Sequence, residues 1–164
     1  MATDTQHAIT KYTILVDDRE KHPYRFQGLC SDQSAGGLPL LVKYDVRRLA
    51  TGDYTLLGWE NSVAIERKST EDAYQTFGKG RARFERELDR LNAMQFAAVV
   101  IENDWGVLLS QPPPMSQLDP KTVFRSVIAW QQRYPNVHWW MVPSRAAAEV
   151  VTLRILERFW KERQ

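Results

Sequence analysis

Asp53, Glu66 and Lys68 set the chemistry open to this chain. Asp53 follows Gly52, Glu66-Arg67-Lys68 closes an apolar run, and Asp72 comes shortly after it. Two carboxylates can hold a hard divalent cation through oxygen ligands. A lysine beside them can orient a water or neutralise developing phosphate charge. On a strand, Glu66 and Lys68 share one face and Arg67 turns to the other. Together these groups suit metal-dependent cleavage of a phosphodiester. Taken singly, each has a plainer use: Asp53 in a turn after Gly52, Glu66 at a solvated strand end, Lys68 on the surface.

The elements around them must bring the acids together. Tyr54–Leu57 and Ser62–Ile65 flank Gly58-Trp59-Glu60-Asn61 and read as a hairpin, which sets Asp53 near Glu66. Further strands are expected at Tyr12–Val16, Leu40–Val46, Phe96–Ile101 and Val137–Val142. A helix begins near Ser69, and Phe84, Leu88 and Leu91 mark the face of a second one. Asp119-Pro120 opens a helix lined by Val123, Val127, Trp130 and Tyr134, and Ser144 caps a last one. The segments 28–39 and 112–114 read as loops. The 164 residues, 43% hydrophobic, suit one domain. The expectation is an N-terminal arm over 1–10 and a single α/β domain over 11–164, a mixed sheet with helices on both faces.

The remaining composition narrows the setting. Net charge is +2, which permits nucleic-acid binding without selecting it. Cys30 is the lone cysteine, so no internal disulfide forms and a reducing interior fits. The first ten residues are polar, unlike a secretory signal, and Phe96–Ile101 is too short to cross a bilayer. A soluble intracellular protein, in cytoplasm or nucleoid, is expected. Lys79, Arg81 and Arg83 are the better phosphate-binding candidates of a basic segment. Arg86 and Arg90 alternate with Glu85, Glu87 and Asp89, as on a solvated helix. Six tryptophans suit core packing or a dimer face, with Trp59 alone a candidate to touch a nucleotide.

Val16-Asp17-Asp18-Arg19-Glu20, then Gly52-Asp53, then Glu66-Arg67-Lys68 with Asp72 resembles the nuclease domain of XPF-type (ERCC4-domain) structure-specific endonucleases. That family lies within the PD-(D/E)xK superfamily, and the resemblance is to its bacterial or phage-type stand-alone members. It implies a restriction-endonuclease-like fold and a Mg²⁺ or Mn²⁺ cofactor. Asp53 and Glu66 would be metal ligands, with Asp17 or Glu20 completing the site, and Lys68 would act on water or phosphate. Arg19, Lys79, Arg81 and Arg83 would face DNA. Arg67 fits either a phosphate contact or a structural salt bridge. Asp72 fits either a capping box with Ser69 or support of the site. The implied partners are branched, flap or junction DNA, met in repair or recombination, and a second copy of the chain. The alternative is a non-catalytic DNA-binding or scaffold subunit of the same fold.

Overall fold

The computed structural model describes residues 6–32 and 37–164. The strands are β1 (Ala8–Asp17), β2 (Leu40–Arg47), β3 (Tyr54–Leu56), β4 (Val63–Lys68), β5 (Phe96–Ile101) and β6 (Val137–Met141). The helices are α1 (Thr70–Phe77), α2 (Arg81–Asn92), α3 (Trp105–Ser110), α4 (Pro120–Arg133) and α5 (Arg145–Lys161). One six-stranded sheet runs in the order β2-β1-β3-β4-β5-β6. β1 pairs parallel with β2 and antiparallel with β3, and β3 pairs antiparallel with β4. β4, β5 and β6 are mutually parallel. Only β3 therefore runs against the rest. The carboxyl ends of the other strands gather at one end of the sheet, where the amino end of β3 also lies. Side chains at loop and strand-end positions there are held by a rigid scaffold.

Two cores cover the faces of the sheet. On one, Ile14, Val16, Tyr54, Val63, Ile65 and Val100 pack against Leu153, Leu156 and Phe159 of α5. On the other, Ala64, Val99 and Ile101 meet Tyr74, Phe77, Phe84, Leu88 and Trp130 of α1, α2 and α4. β4 and β5 are buried on both sides, which explains their unbroken apolar runs. The helices start where their caps say: the Ser69, Asp104, Asp119 and Ser144 side chains each accept a first-turn backbone N–H.

Two features differ from the sequence reading. β1 begins at Ala8, so residues 8–10 of the expected arm belong to the sheet; the Ala8 N–H donates to Pro39 O and Ile9 pairs with Leu41. Residues 1–5 of that arm, and 33–36 of the loop expected over 28–39, lie outside the described residues. α3 is additional to the expected helices, because one Asp104 cap on six residues carries little periodic signal. No helix among the described residues is long and apolar enough to cross a membrane.

Candidate active site

Gly52 makes the first placement. It sits at φ +72°, and a Cβ there would lie 3.0 Å from Ile65 O and 3.1 Å from Ala64 Cβ. Only glycine tolerates both the conformation and the approach. The turn it permits presses Asp53 onto β4: the Asp53 N–H donates to Ile65 O at 2.8 Å, and Asp53 Oδ2 accepts the Arg67 N–H at 2.7 Å. Asp53 is mostly buried there. Burial first, and then the charge of Glu66, push its carboxyl well above the usual carboxylate range; Glu20 adds to this, while the Arg67 amide and Lys68 oppose it.

Strand alternation puts Glu66 and Lys68 on the α2 face of β4, with Lys68 Nζ 3.0 Å from Glu66 Oε1 and 4.5 Å from the centre of the Phe84 ring. Both line a groove of about 1520 Å³ between α1, α2 and the 113–118 loop, whose rim carries Arg19, Lys79 and Arg83. Glu87 of α2 reaches back to accept the Gly52 N–H at 3.2 Å, tying the helix to the turn that holds Asp53.

Asp17, expected as a further metal ligand, has other work. Its Oδ1 accepts the Arg19 backbone N–H and Nε, each at 2.8 Å, and its Oδ2 accepts Arg19 Nη2 and the Leu49 N–H, each at 2.8 Å. Burial alone would raise the Asp17 carboxyl, but these hydrogen bonds and the Arg19 charge outweigh it and hold the group low. Its backbone N–H donates to Asp53 O at 2.8 Å. Asp17 thus braces the Asp53 turn and aims Arg19, while its own oxygens are spent.

Arg67 turns to the α5 face. Its Nε and Nη2 each lie 2.7 Å from the two oxygens of Glu102, a bidentate pair, and Nη1 lies 3.4 Å from Glu20 Oε1. Glu102 also accepts the Tyr24 hydroxyl at 2.9 Å and Arg145 Nη1 at 3.1 Å. Burial would raise the Glu102 carboxyl; hydrogen bonds from Arg67 and Tyr24, with the charges of Arg67 and Arg145, hold it below the usual range instead. Of the two readings open to Arg67, this geometry is the salt bridge.

Asp72 accepts from Ser69 as the capping box requires, with the Asp72 N–H donating to Ser69 Oγ at 3.1 Å. Arg81 leaves the groove: its Nη1 donates to Ser126 Oγ at 2.6 Å, it pairs with Glu85, and its guanidinium lies over Trp130. These contacts pack α2 against α4, and Arg81 is not among the residues lining the groove. Trp59 sits at the turn end of the hairpin, opposite the acids, packed edge-on against Phe159, so it does not approach the site.

Tyr24, Glu87, Glu102 and Arg145 join the site only through the fold. Glu102 has a sequence signal, being the first charge after the buried β5 run and so at the carboxyl end of the sheet. Glu87 has none, since it looks like any acid of a charged helix.

Among the described residues no three acidic, histidine or cysteine side chains converge. The Asp53–Glu66 pair would be the donor set for a cation here. It fits a hard divalent ion: two carboxylates crowd each other at the cost already seen in Asp53, a cation relieves that repulsion, and two ligands leave positions for water and phosphate oxygen.

A mixed sheet with helices on both faces, bearing an acid pair and a lysine where its strand ends gather, defines a restriction-endonuclease-like α/β domain. The ERCC4 domain model matches residues 16–153, and the chain belongs to the ERCC4 domain family. Among solved structures it is similar to XPF from Aeropyrum pernix, with a TM-score of 0.63 and 16% identity over 88% of this chain and 60% of that one. It is also similar to XPF from Aeropyrum pernix in complex with DNA, with a TM-score of 0.63 and 18% identity over 94% of this chain and 67% of that one. The chain thus spans about 60% of the length of the first of these. No curated protein matches it.

Proposed function

We propose that this chain is a metal-dependent DNA endonuclease, hydrolysing phosphodiesters of branched or flap-like DNA in repair or recombination. The observation that carries the reading is Asp53 held against β4 within the field of Glu66, with Glu66 and Lys68 lining a groove rimmed by Arg19, Lys79 and Arg83. Mg²⁺ or Mn²⁺ held by the pair would acidify a bound water and polarise a phosphoryl oxygen. The chain's own groups do the rest. Lys68 Nζ keeps donors beyond the one it gives Glu66 and offers them to a phosphate oxygen. Phe84 under Lys68 dries one side of the ammonium and strengthens its field. Lys79 and Arg83 hold the backbone of the entering strand.

The test is incubation of flaps, forks, junctions and plain duplexes with Mg²⁺ or Mn²⁺. Cleavage by the wild type and its loss in Asp53→Asn are expected; equal rates in both proteins would end the assignment. The rival reading, a non-catalytic DNA-binding subunit, draws on the limitation of the acid set to two side chains. Tight binding with no product in either metal would select it.

We also propose a homodimer, on the exposed Phe124 and Ile128, one turn apart on α4. Sedimentation at micromolar concentration should show a species of twice the chain mass; only monomer would remove this element.

A further inference from the structure

A second concave site lies behind β4, at the same end of the sheet but on the α5 face. It is an open hollow of about 360 Å³ lined by Lys21, His22, Pro23, Arg25, Arg67 and Arg145. Arg67 forms its buried floor. Arg145, the first residue of α5, forms a wall, anchored by donating from Nη2 to His22 O at 2.7 Å and Pro23 O at 3.0 Å, with its guanidinium stacked on Tyr24 at 4.9 Å. Lys21 and Arg25 stand exposed at the mouth, and neither makes an ion pair with another described residue.

The charges do not balance. Glu20 and Glu102 are the carboxylates engaged by these cations, and both are drawn inward onto Arg67, with Glu102 shared by Arg145. Lys21 and Arg25 are left over, aimed around an opening with a guanidinium at its base. The amino end of α5 adds its partial positive charge. A fold that only needed to neutralise Glu20 and Glu102 would not place two further cations there. An anion of phosphate type is the complement: compact, oxygen-rich and suited to several N–H donors at once.

Position identifies which phosphate. Arg67 lies between Glu66 and Lys68 in sequence, so the pocket and the acid pair occupy opposite faces of one strand end. Glu20 pairs with Arg67 at 3.4 Å on the pocket side. We propose that the Lys21–Arg25–Arg145 pocket binds a backbone phosphate flanking the scissile one, so that the cut strand passes over the carboxyl end of the sheet from the α2 groove to the α5 face. This rests on the nuclease reading and extends it with a second contact point for the same strand.

The experiment compares wild type with Lys21→Ala/Arg25→Ala, two exposed side chains whose removal leaves the Arg67–Glu102 network in place. Binding of a fluorescent forked duplex is followed with Ca²⁺ replacing Mg²⁺, over a range of salt. The expected result is affinity lower by about three- to tenfold, with the slope of log K against log salt shallower by about 0.7–0.9, the loss of one phosphate contact. Lys21→Arg/Arg25→Lys should restore both. A scan of single neutral methylphosphonate linkages should find one position that weakens wild-type binding and not the double variant. Unchanged affinity and slope in the double variant, with wild-type cleavage intact, overturns the pocket and leaves the nuclease standing. Stabilisation of wild type alone by inorganic phosphate, with DNA binding unchanged, overturns the DNA assignment in favour of a free anion. A wild type that neither binds nor cuts DNA removes the nuclease reading itself, and this extension with it.

Discussion

The two faces of β4 use neighbouring residues in opposite ways. On the α2 face, Asp53 and Glu66 crowd negative charge that Lys68 only partly offsets, and burial makes the Asp53 carboxylate costly to hold ionised. On the α5 face, Arg67 is saturated: Glu102 grips it in two places, Tyr24 and Arg145 brace Glu102, and Glu20 stands at the remaining nitrogen. One face stores unfavourable electrostatics and the other resolves it. At the strand end itself the difference is that of a crowded acid pair and a fully paired arginine; the cations left over on the α5 face, Lys21 and Arg25, stand further out at the mouth of the pocket. Three consecutive residues serve both because a strand alternates its side chains.

Substitution on the reactive face gives the largest effect. Asp53→Asn and Glu66→Gln should each lower single-turnover DNA cleavage by about 10³-fold or more, since each removes a charge on which the proposed cation would depend. Both proteins should fold, as their circular dichroism will show. An effect under about tenfold would mean that the crowded acids are not the reactive ones.

Breaking the saturated face should instead cost stability. Arg67→Met strips Glu20 of its cation and Glu102 of its bidentate partner, leaving Glu102 to Tyr24 and Arg145, a loss of about 3–5 kcal/mol in urea denaturation. The loss should grow in the direction set by Glu102. Its carboxyl is held low in the folded chain, so the stability it contributes is present above the unfolded carboxylate pKa and fades as pH falls through the folded one. A fully stable Arg67→Met that has lost only activity would make Arg67 a phosphate contact and erase the contrast between the faces.

The same pH axis separates the faces with opposite sign. The Asp53 carboxyl is raised, so the folded chain holds a proton there that the unfolded chain has released. Its contribution to stability is fullest below the unfolded carboxylate pKa, about 3.9, and is lost as pH rises towards the folded value. Asp53→Asn removes that loss while its side-chain carbonyl can still accept the Arg67 N–H. Without metal, the variant should be more stable than wild type by about 1 kcal/mol at neutral pH, with the gap closing in acid. Added Mg²⁺ should stabilise wild type and not the variant. A gap that widens in acid would show that Asp53 is already well compensated.

Much of this is legible from residue order, and the misses have physical causes. The strands, the two long apolar runs and three of the helix caps follow from periodicity and from Ser or Asp at helix starts. Gly52 before Asp53 declares a turn, and its contact with Ile65 O shows why no other residue serves. Strand alternation alone separates Arg67 from its neighbours. Long-range pairing is not legible. Arg81 looks as basic as Arg83, yet Ser126 and Trp130, brought close by α4, take it from the groove. Asp17 looks like a strand-end ligand, yet Arg19 and the Leu49 amide claim its oxygens. Such choices depend on which donors the fold delivers, which no local pattern records.

The smallest expected effect probes how α2 supports the reactive face. Glu87 accepts the Gly52 N–H and also pairs with Arg90, so it looks structural, yet its partner is the residue that aims Asp53. Glu87→Ala leaves the Gly52 N–H without its acceptor, at a cost of about 1 kcal/mol in urea denaturation. Glu87→Gln keeps an acceptor oxygen and should recover most of that. If Glu87 only stabilises, cleavage by the alanine variant under strongly native conditions should equal wild type. If it positions Asp53, cleavage should fall by about threefold to tenfold even when every molecule is folded, because a carboxylate displaced by a fraction of an ångström holds its ion less well. Glutamine should restore the rate together with the stability. The helix then belongs to the reactive face through one hydrogen bond, as Tyr24 and Arg145 belong to the resolved one through Glu102.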